Sequence, residues 1–93
     1  MTDLTEARAQ IREVELEMRE LFLKRMEAAT AVAAWKKERG FPVEDREQEE
    51  RILSQLSPQV EDEKLRELYQ KYQQTMMDLS KEWQQYLIEN ATK

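Results

Sequence analysis

Arg25 and Lys36 are the residues of this chain best placed to do chemistry, and their type points to recognition of an anion. Apolar residues recur at steps of three and four through Leu4, Ala7, Ile11, Val14, Met18 and Leu21, then again at Ala28, Val32 and Trp35. Arg25 fills the gap between Leu21 and Ala28, inside the stripe of a long helix. Each helical residue turns the chain by ~100°, so Lys36 falls within ~20° of the direction of Arg25. Two cations three turns apart thus face the same way as the apolar residues. A buried charge costs several kcal/mol unless it is paired. Either internal carboxylates, such as Glu49 or a glutamate of the last helix, meet these cations, or a ligand does.

Other kinds of chemistry are excluded by composition. The chain has no cysteine and no histidine, which removes disulfides, thiol nucleophiles, histidine bases and nearly all zinc chemistry. The net charge of −5 argues against nucleic-acid binding, which needs a clustered basic surface. An anion could still bind where cations gather inside. The start, Met1 to Glu6, has neither a basic nor an apolar run, and no stretch approaches ~18 uninterrupted apolar residues. The expectation is a soluble, cytoplasmic protein with no membrane partner. Residues 1–93 are read as a single domain, of a size that buries only ~60–65% of its unfolded surface and is marginal alone.

The elements that must carry the cations follow from Gly40, Pro42 and Pro58, the only glycine and prolines. From Asp3 to Arg39 nothing breaks a helix, and Asp3 with Glu6 has capping-box spacing. Gly40 suits the position after a helix end, with Pro42 preventing continuation. After the loop Gly40-Phe41-Pro42-Val43-Glu44, Asp45 with Gln48 opens a short helix to about Leu56, expected to bury Ile52, Leu53 and Leu56. Ser57-Pro58 reads as an N-cap with proline at the first helical position. A third helix then carries the stripe Leu65, Leu68, Tyr69, Tyr72, Met76, Leu79, Trp83, Tyr86 and Leu87. The fold class is all-α, three helices in a long–short–long order. A helix of about 36 residues is ~54 Å long, against a radius of gyration near ~13 Å for a compact chain of this size. Its apolar stripe therefore needs a cover, and a second copy in an interlocked homodimer is the simplest. A two-stranded coiled coil or helical hairpin is the competing arrangement.

Several of these residues fall in one register that resembles the AroQ-class chorismate mutases, the all-helical family that converts chorismate to prephenate. The resemblance rests on Arg8 in Ala7-Arg8-Ala9-Gln10-Ile11, Arg25 in Leu21-Phe22-Leu23-Lys24-Arg25, and Lys36 in Ala34-Trp35-Lys36-Lys37. It continues through Pro42-Val43-Glu44-Asp45 and Gln48-Glu49 before Ile52-Leu53. It implies an interlocked homodimer of the family's type and no cofactor or metal. The reaction it implies is a concerted pericyclic rearrangement, driven by orientation and preorganised electrostatics without a covalent intermediate. By the same resemblance Arg25 grips one substrate carboxylate and Arg8 reaches in from the other subunit. Lys36 binds a carboxylate and the ether oxygen, and Asp45 and Glu49 lie near the ring hydroxyl. Taken singly, each has a plainer reading. Arg8 could be a solvated surface residue, Lys36 beside Lys37 favours a helix C-terminus, Asp45 is an N-cap, and Glu49 is a first-turn acid.

The chain departs from the family's pattern in three places. Gln48 stands where an arginine usually precedes the glutamate, and Arg46 lies about 200° around the helix from it. In helix 3 the family commonly has a serine and, four residues later, a glutamine that bonds the ether oxygen. Aligning Leu68-Tyr69 with the family's hydrophobic pair puts Met76 and Ser80 in those positions, and methionine cannot donate. A one-turn slip in helix 3 could rescue the missing donor, since Gln73, Gln74, Gln84 and Gln85 flank these positions, although none has the required spacing in that register. Two other functions remain open: an isochorismate pyruvate-lyase of the same fold, and a non-catalytic helical dimerisation module derived from a mutase. Nothing in the chain resembles an amino-acid-binding regulatory domain.

Overall fold

The computed structural model describes residues 3–90, and every regular element within them is helical. Asp3 caps the first helix, α1 (Leu4–Arg39), its side chain accepting the Glu6 N–H at 2.8 Å. That bond satisfies one of the donors a helix start leaves without a partner. The helix closes at Gly40, with φ 70° in the left-handed region. Gly40 N–H reaches Lys37 O at 3.3 Å and Phe41 N–H reaches Lys36 O at 2.9 Å, the paired bonds of a Schellman motif. A Cβ built on Gly40 would meet nothing within 4 Å, so a side chain there strains only the backbone. Gly40→Ala is expected to cost about 1 kcal/mol, seen as a lower denaturant midpoint with unchanged slope. A midpoint equal to wild type would rule out this turn as a stability determinant.

The short helix α2 (Arg46–Leu56) is capped by Asp45, which accepts the Gln48 N–H at 3.1 Å. The next signal behaves differently from its sequence reading. Ser57 and Pro58 do not start the third helix; they form a single 3-10 turn, Ser57–Gln59. The Ser57 hydroxyl points back, donating to Leu53 O at 2.6 Å and accepting from Gln70 at 3.2 Å, so it is not free to cap forward. Asp62 caps instead, accepting the Leu65 N–H at 2.8 Å, and α3 runs Glu63–Asn90. Arg66 fastens the connection by donating to Val60 O at 2.8 Å and Glu61 O at 2.9 Å.

Packing leaves the chain thin for its length, at 55 × 28 × 14 Å with a radius of gyration of 16.7 Å. A helix with its side chains is ~10–12 Å across, so the chain is close to one layer. α3 packs on both α1 and α2, whereas α1 and α2 stand apart. Trp83 Nε1 donates to Thr30 Oγ1 at 2.9 Å and pins α3 to α1.

A single layer offers each helix one line of contact, and this overturns the expected burial. The buried apolar side chains among the described residues are Ala29, Ala33 and Met77. The small Ala29 and Ala33 let α3 come close. The long stripe of α1 is largely exposed, including Leu4, Ile11, Val14, Met18, Leu21, Val32 and Trp35. On α3 the covered line is Gln73, Met77, Ser80 and Gln84, while Leu65, Leu68, Tyr72, Leu79, Trp83 and Tyr86 from the expected stripe are exposed. Leu56 is also exposed, with Ile52 and Leu53 only partly covered. Within one chain, the inward face of α3 is its polar one.

Candidate functional site

The gap between α1 and α2, floored by α3, is a cleft of about 630 Å³, within the range of small-molecule sites. α1 contributes Arg25 and Lys36, the loop and α2 contribute Val43, Asp45, Gln48 and Glu49, and α3 contributes Ser80, Lys81 and Gln84. The structure thus brings together six residues singled out from the sequence: Arg25, Lys36, Asp45, Gln48, Glu49 and Ser80. Arg8 is not among them. It is exposed near the start of α1, about 25 Å along the helix from Arg25, too far to reach this cleft in its own chain.

The half-buried Arg25 has neither a carboxylate within 4.0 Å nor a hydrogen-bond partner among the described residues. Pairing with Glu49 or with an acid of α3 is therefore not what holds it. Lys36 likewise has no carboxylate partner among those residues. Its Nζ donates to Val43 O at 2.6 Å, which holds the Pro42–Val43 loop against the end of α1. A carbonyl leaves the ammonium's charge in place. Nearby, Arg39 stacks over Trp35 at 4.4 Å, and Trp35 meets Phe41 edge-on at 4.9 Å, so the loop is anchored on both sides.

The acids are arranged otherwise. Asp45 uses its carboxylate on the α2 start. Gln48 is exposed, its side-chain oxygen accepting from Arg51 at 2.9 Å. The Glu49 side chain, 16% exposed, accepts from Gln74 Nε2 at 3.1 Å and lies 3.2 Å from Lys81 Nζ. Arg46 sits outside the cleft beside Glu44 at 3.7 Å and does not stand in for Gln48.

On α3 the cleft is lined by Ser80 and Gln84, one turn later than the pair Met76 and Ser80 that the sequence alignment placed there. Met76 lines a neighbouring cavity of about 390 Å³ with Met18, Phe22 and Tyr72. Ser80 and Gln84 line the cleft, both buried, with Gln84 Nε2 3.2 Å from Ser80 Oγ. Gln84 Oε1 has no partner. The two amide ends are interchangeable on hydrogen-bonding grounds, so one end bonds Ser80 and the other is left for a ligand. Gln84 entered the sequence reading only through a one-turn slip, because the apolar pair Leu68-Tyr69 set the register. The signal that finds it is the spacing Ser80-x-x-x-Gln84, which puts serine and glutamine on one helix face.

Fold and cleft together define an all-helical protein whose small-molecule-sized cleft is lined by inward cations, two carboxylates and a serine–glutamine pair. The chain belongs to the chorismate mutase family of type II: the family described as Chorismate mutase type II matches residues 7–85. That span includes every residue placed in the cleft, and Arg8. No curated protein and no solved structure matches the chain. No helix among the described residues is long and apolar enough to cross a membrane.

Proposed function

We propose that this protein is a homodimeric chorismate mutase, rearranging chorismate to prephenate in the cytoplasm for phenylalanine and tyrosine synthesis. The observation that carries the reading is the Arg25 guanidinium, half-buried in a cleft and without an acid, on the same face as Lys36 and opposite the Ser80–Gln84 pair. In the rearrangement the ether C–O bond breaks as a C–C bond forms, and negative charge builds on the departing oxygen. The protein then has to hold a dicarboxylate in its compact conformer and meet that charge with preorganised donors.

Arg25 suits one carboxylate because its planar fork binds two oxygens at once and does not titrate. Lys36 and the free amide end of Gln84 converge on the same cleft from opposite helices and supply donors to the ether oxygen. Asp45 and Glu49 are acceptors for the ring hydroxyl. The second carboxylate is assigned to Arg8 of a partner subunit, since Arg8 cannot reach its own cleft. The exposed apolar stripes of α1 and α3, on a chain one layer thick, support a second copy as the cover.

Incubation with chorismate, following loss of ring-diene absorbance, tests the reading. Prephenate is the expected product. Salicylate and pyruvate from isochorismate would replace this assignment with a lyase, and turnover of neither would leave a non-catalytic helical module. The shared site has its own test. Arg8→Ala and Arg25→Ala chains, each inactive, are unfolded together and refolded as a mixture. Random pairing then gives one intact site in each mixed dimer and about a quarter of wild-type activity. Zero recovery, with mixed dimers confirmed by a tag carried on one of the two variants, would place Arg8 and Arg25 in the same chain's site, whereas an active Arg8→Ala dimer would remove Arg8 from it.

A further inference from the structure

We propose that Lys81 is a positioning residue that cancels the charge of Glu49 and so keeps the cleft attractive to a dianion. This rests on the mutase reading above. Lys81 follows Ser80 on the face of α3 that floors the cleft. Its Nζ lies 3.2 Å from Glu49 Oε2, 3.4 Å from Glu44 Oε1 and 3.4 Å from Asp78 Oδ1. An ammonium has three donors, and here three acids surround it, so it is committed to the protein rather than to a ligand.

The Lys81–Glu49 pair differs from the others in the chain. Its side chains are 26% and 16% exposed, whereas every other described ion pair has at least one member more than half exposed. Solvent screening therefore weakens it least. Burial by itself pulls the Lys81 pKa down, but the bond to Glu49 and its charge, with Asp78 and Glu44, hold it above its ordinary 10.5. The stabilisation from this raised pKa is complete below that value and is lost only as pH climbs past the folded one, so Lys81 is cationic throughout the neutral range.

The charge of the lining then decides the case. Arg25, Lys36 and Lys81 supply three positive charges, and Asp45 and Glu49 supply two negative ones. Within one chain the balance is one positive charge with Lys81 and none without it, and Arg8 of a partner subunit, on the reading above, raises each by one. α2 offers no replacement, because position 48 is a neutral glutamine already bonded to Arg51. In this chain the cation that offsets Glu49 comes from α3.

The test is a double-mutant cycle on the full dimer: Lys81→Met, Glu49→Gln and both together, read as KM and kcat for chorismate, with helicity checked by circular dichroism. Lys81→Met is expected to raise KM roughly 10-fold, the size of one uncancelled charge at cleft distances, with a smaller effect on kcat. With Glu49→Gln added to Lys81→Met the lining regains the wild-type balance, and KM should return toward that of wild type. An unaltered KM in Lys81→Met, or a double variant whose KM stays as high as that of Lys81→Met, overturns the inference while leaving the mutase reading intact. If wild type does not turn over chorismate, that reading fails. Calorimetric binding of a stable bicyclic dicarboxylate then reads the same variants, and no recovery of affinity in the double variant there overturns the inference too.

Discussion

Arg25→Ala is expected to remove turnover of chorismate and to leave the helices standing. Among the described residues the guanidinium has no acid or hydrogen-bond partner, so its deletion leaves none of them stranded. Unpaired, partly desolvated charge opposes folding, and the variant's thermal midpoint is expected to equal or exceed that of wild type. Catalysis should respond in the opposite sense. Losing one member of a buried, bidentate charge pair costs several kcal/mol, and each 1.36 kcal/mol is a factor of ten in rate, giving a fall of roughly 10³-fold in kcat/KM. Arg25→Lys keeps the charge without the fork and should recover little of it. Steady-state kinetics beside a thermal melt check both halves. Near-normal kcat/KM in Arg25→Ala would remove Arg25 from the site.

Gln84→Met, which keeps the volume of the side chain and removes its donors, is expected to lower kcat by ~10²–10³ through the loss of one donor to a developing oxyanion. KM should change little, because the ether oxygen carries its charge only in the transition state. Stability should change little, since an unpartnered buried amide end is removed while the bond of the other end to buried Ser80 is lost. A rise in KM at constant kcat would assign Gln84 to ground-state binding instead.

How much of this was legible depended on whether a signal was local. The helix ends were, because capping is chemistry between neighbours: Asp3, Gly40 and Asp45 act where their spacing said they would. Ser57 shows the limit, since its hydroxyl was taken by Leu53 O and Gln70, the latter a partner thirteen positions away. The cations were legible because Arg25 interrupts an apolar period and Lys36 shares its direction. Gln84 was hidden by a competing period, the apolar residues of α3, which fixed the register one turn early. The face that a helix turns inward was least legible. Periodicity reports that α3 has an apolar side but not which neighbour covers it, and within one chain the covered side carries Gln73, Ser80 and Gln84. Lys81 was invisible for a related reason: a lysine among glutamates reads as solvated surface until Glu49 is brought beside it from another helix.

The 14 Å thickness of the chain has a bearing on how such a protein answers to its own abundance. A slab one helix deep has almost no interior, so most of the water-avoiding surface that could hold it together is withdrawn only when another slab meets it. For the proposed dimer, ordering of the polypeptide and its pairing are then the same event, and dilution acts as a denaturant. The melting temperature would track the logarithm of concentration.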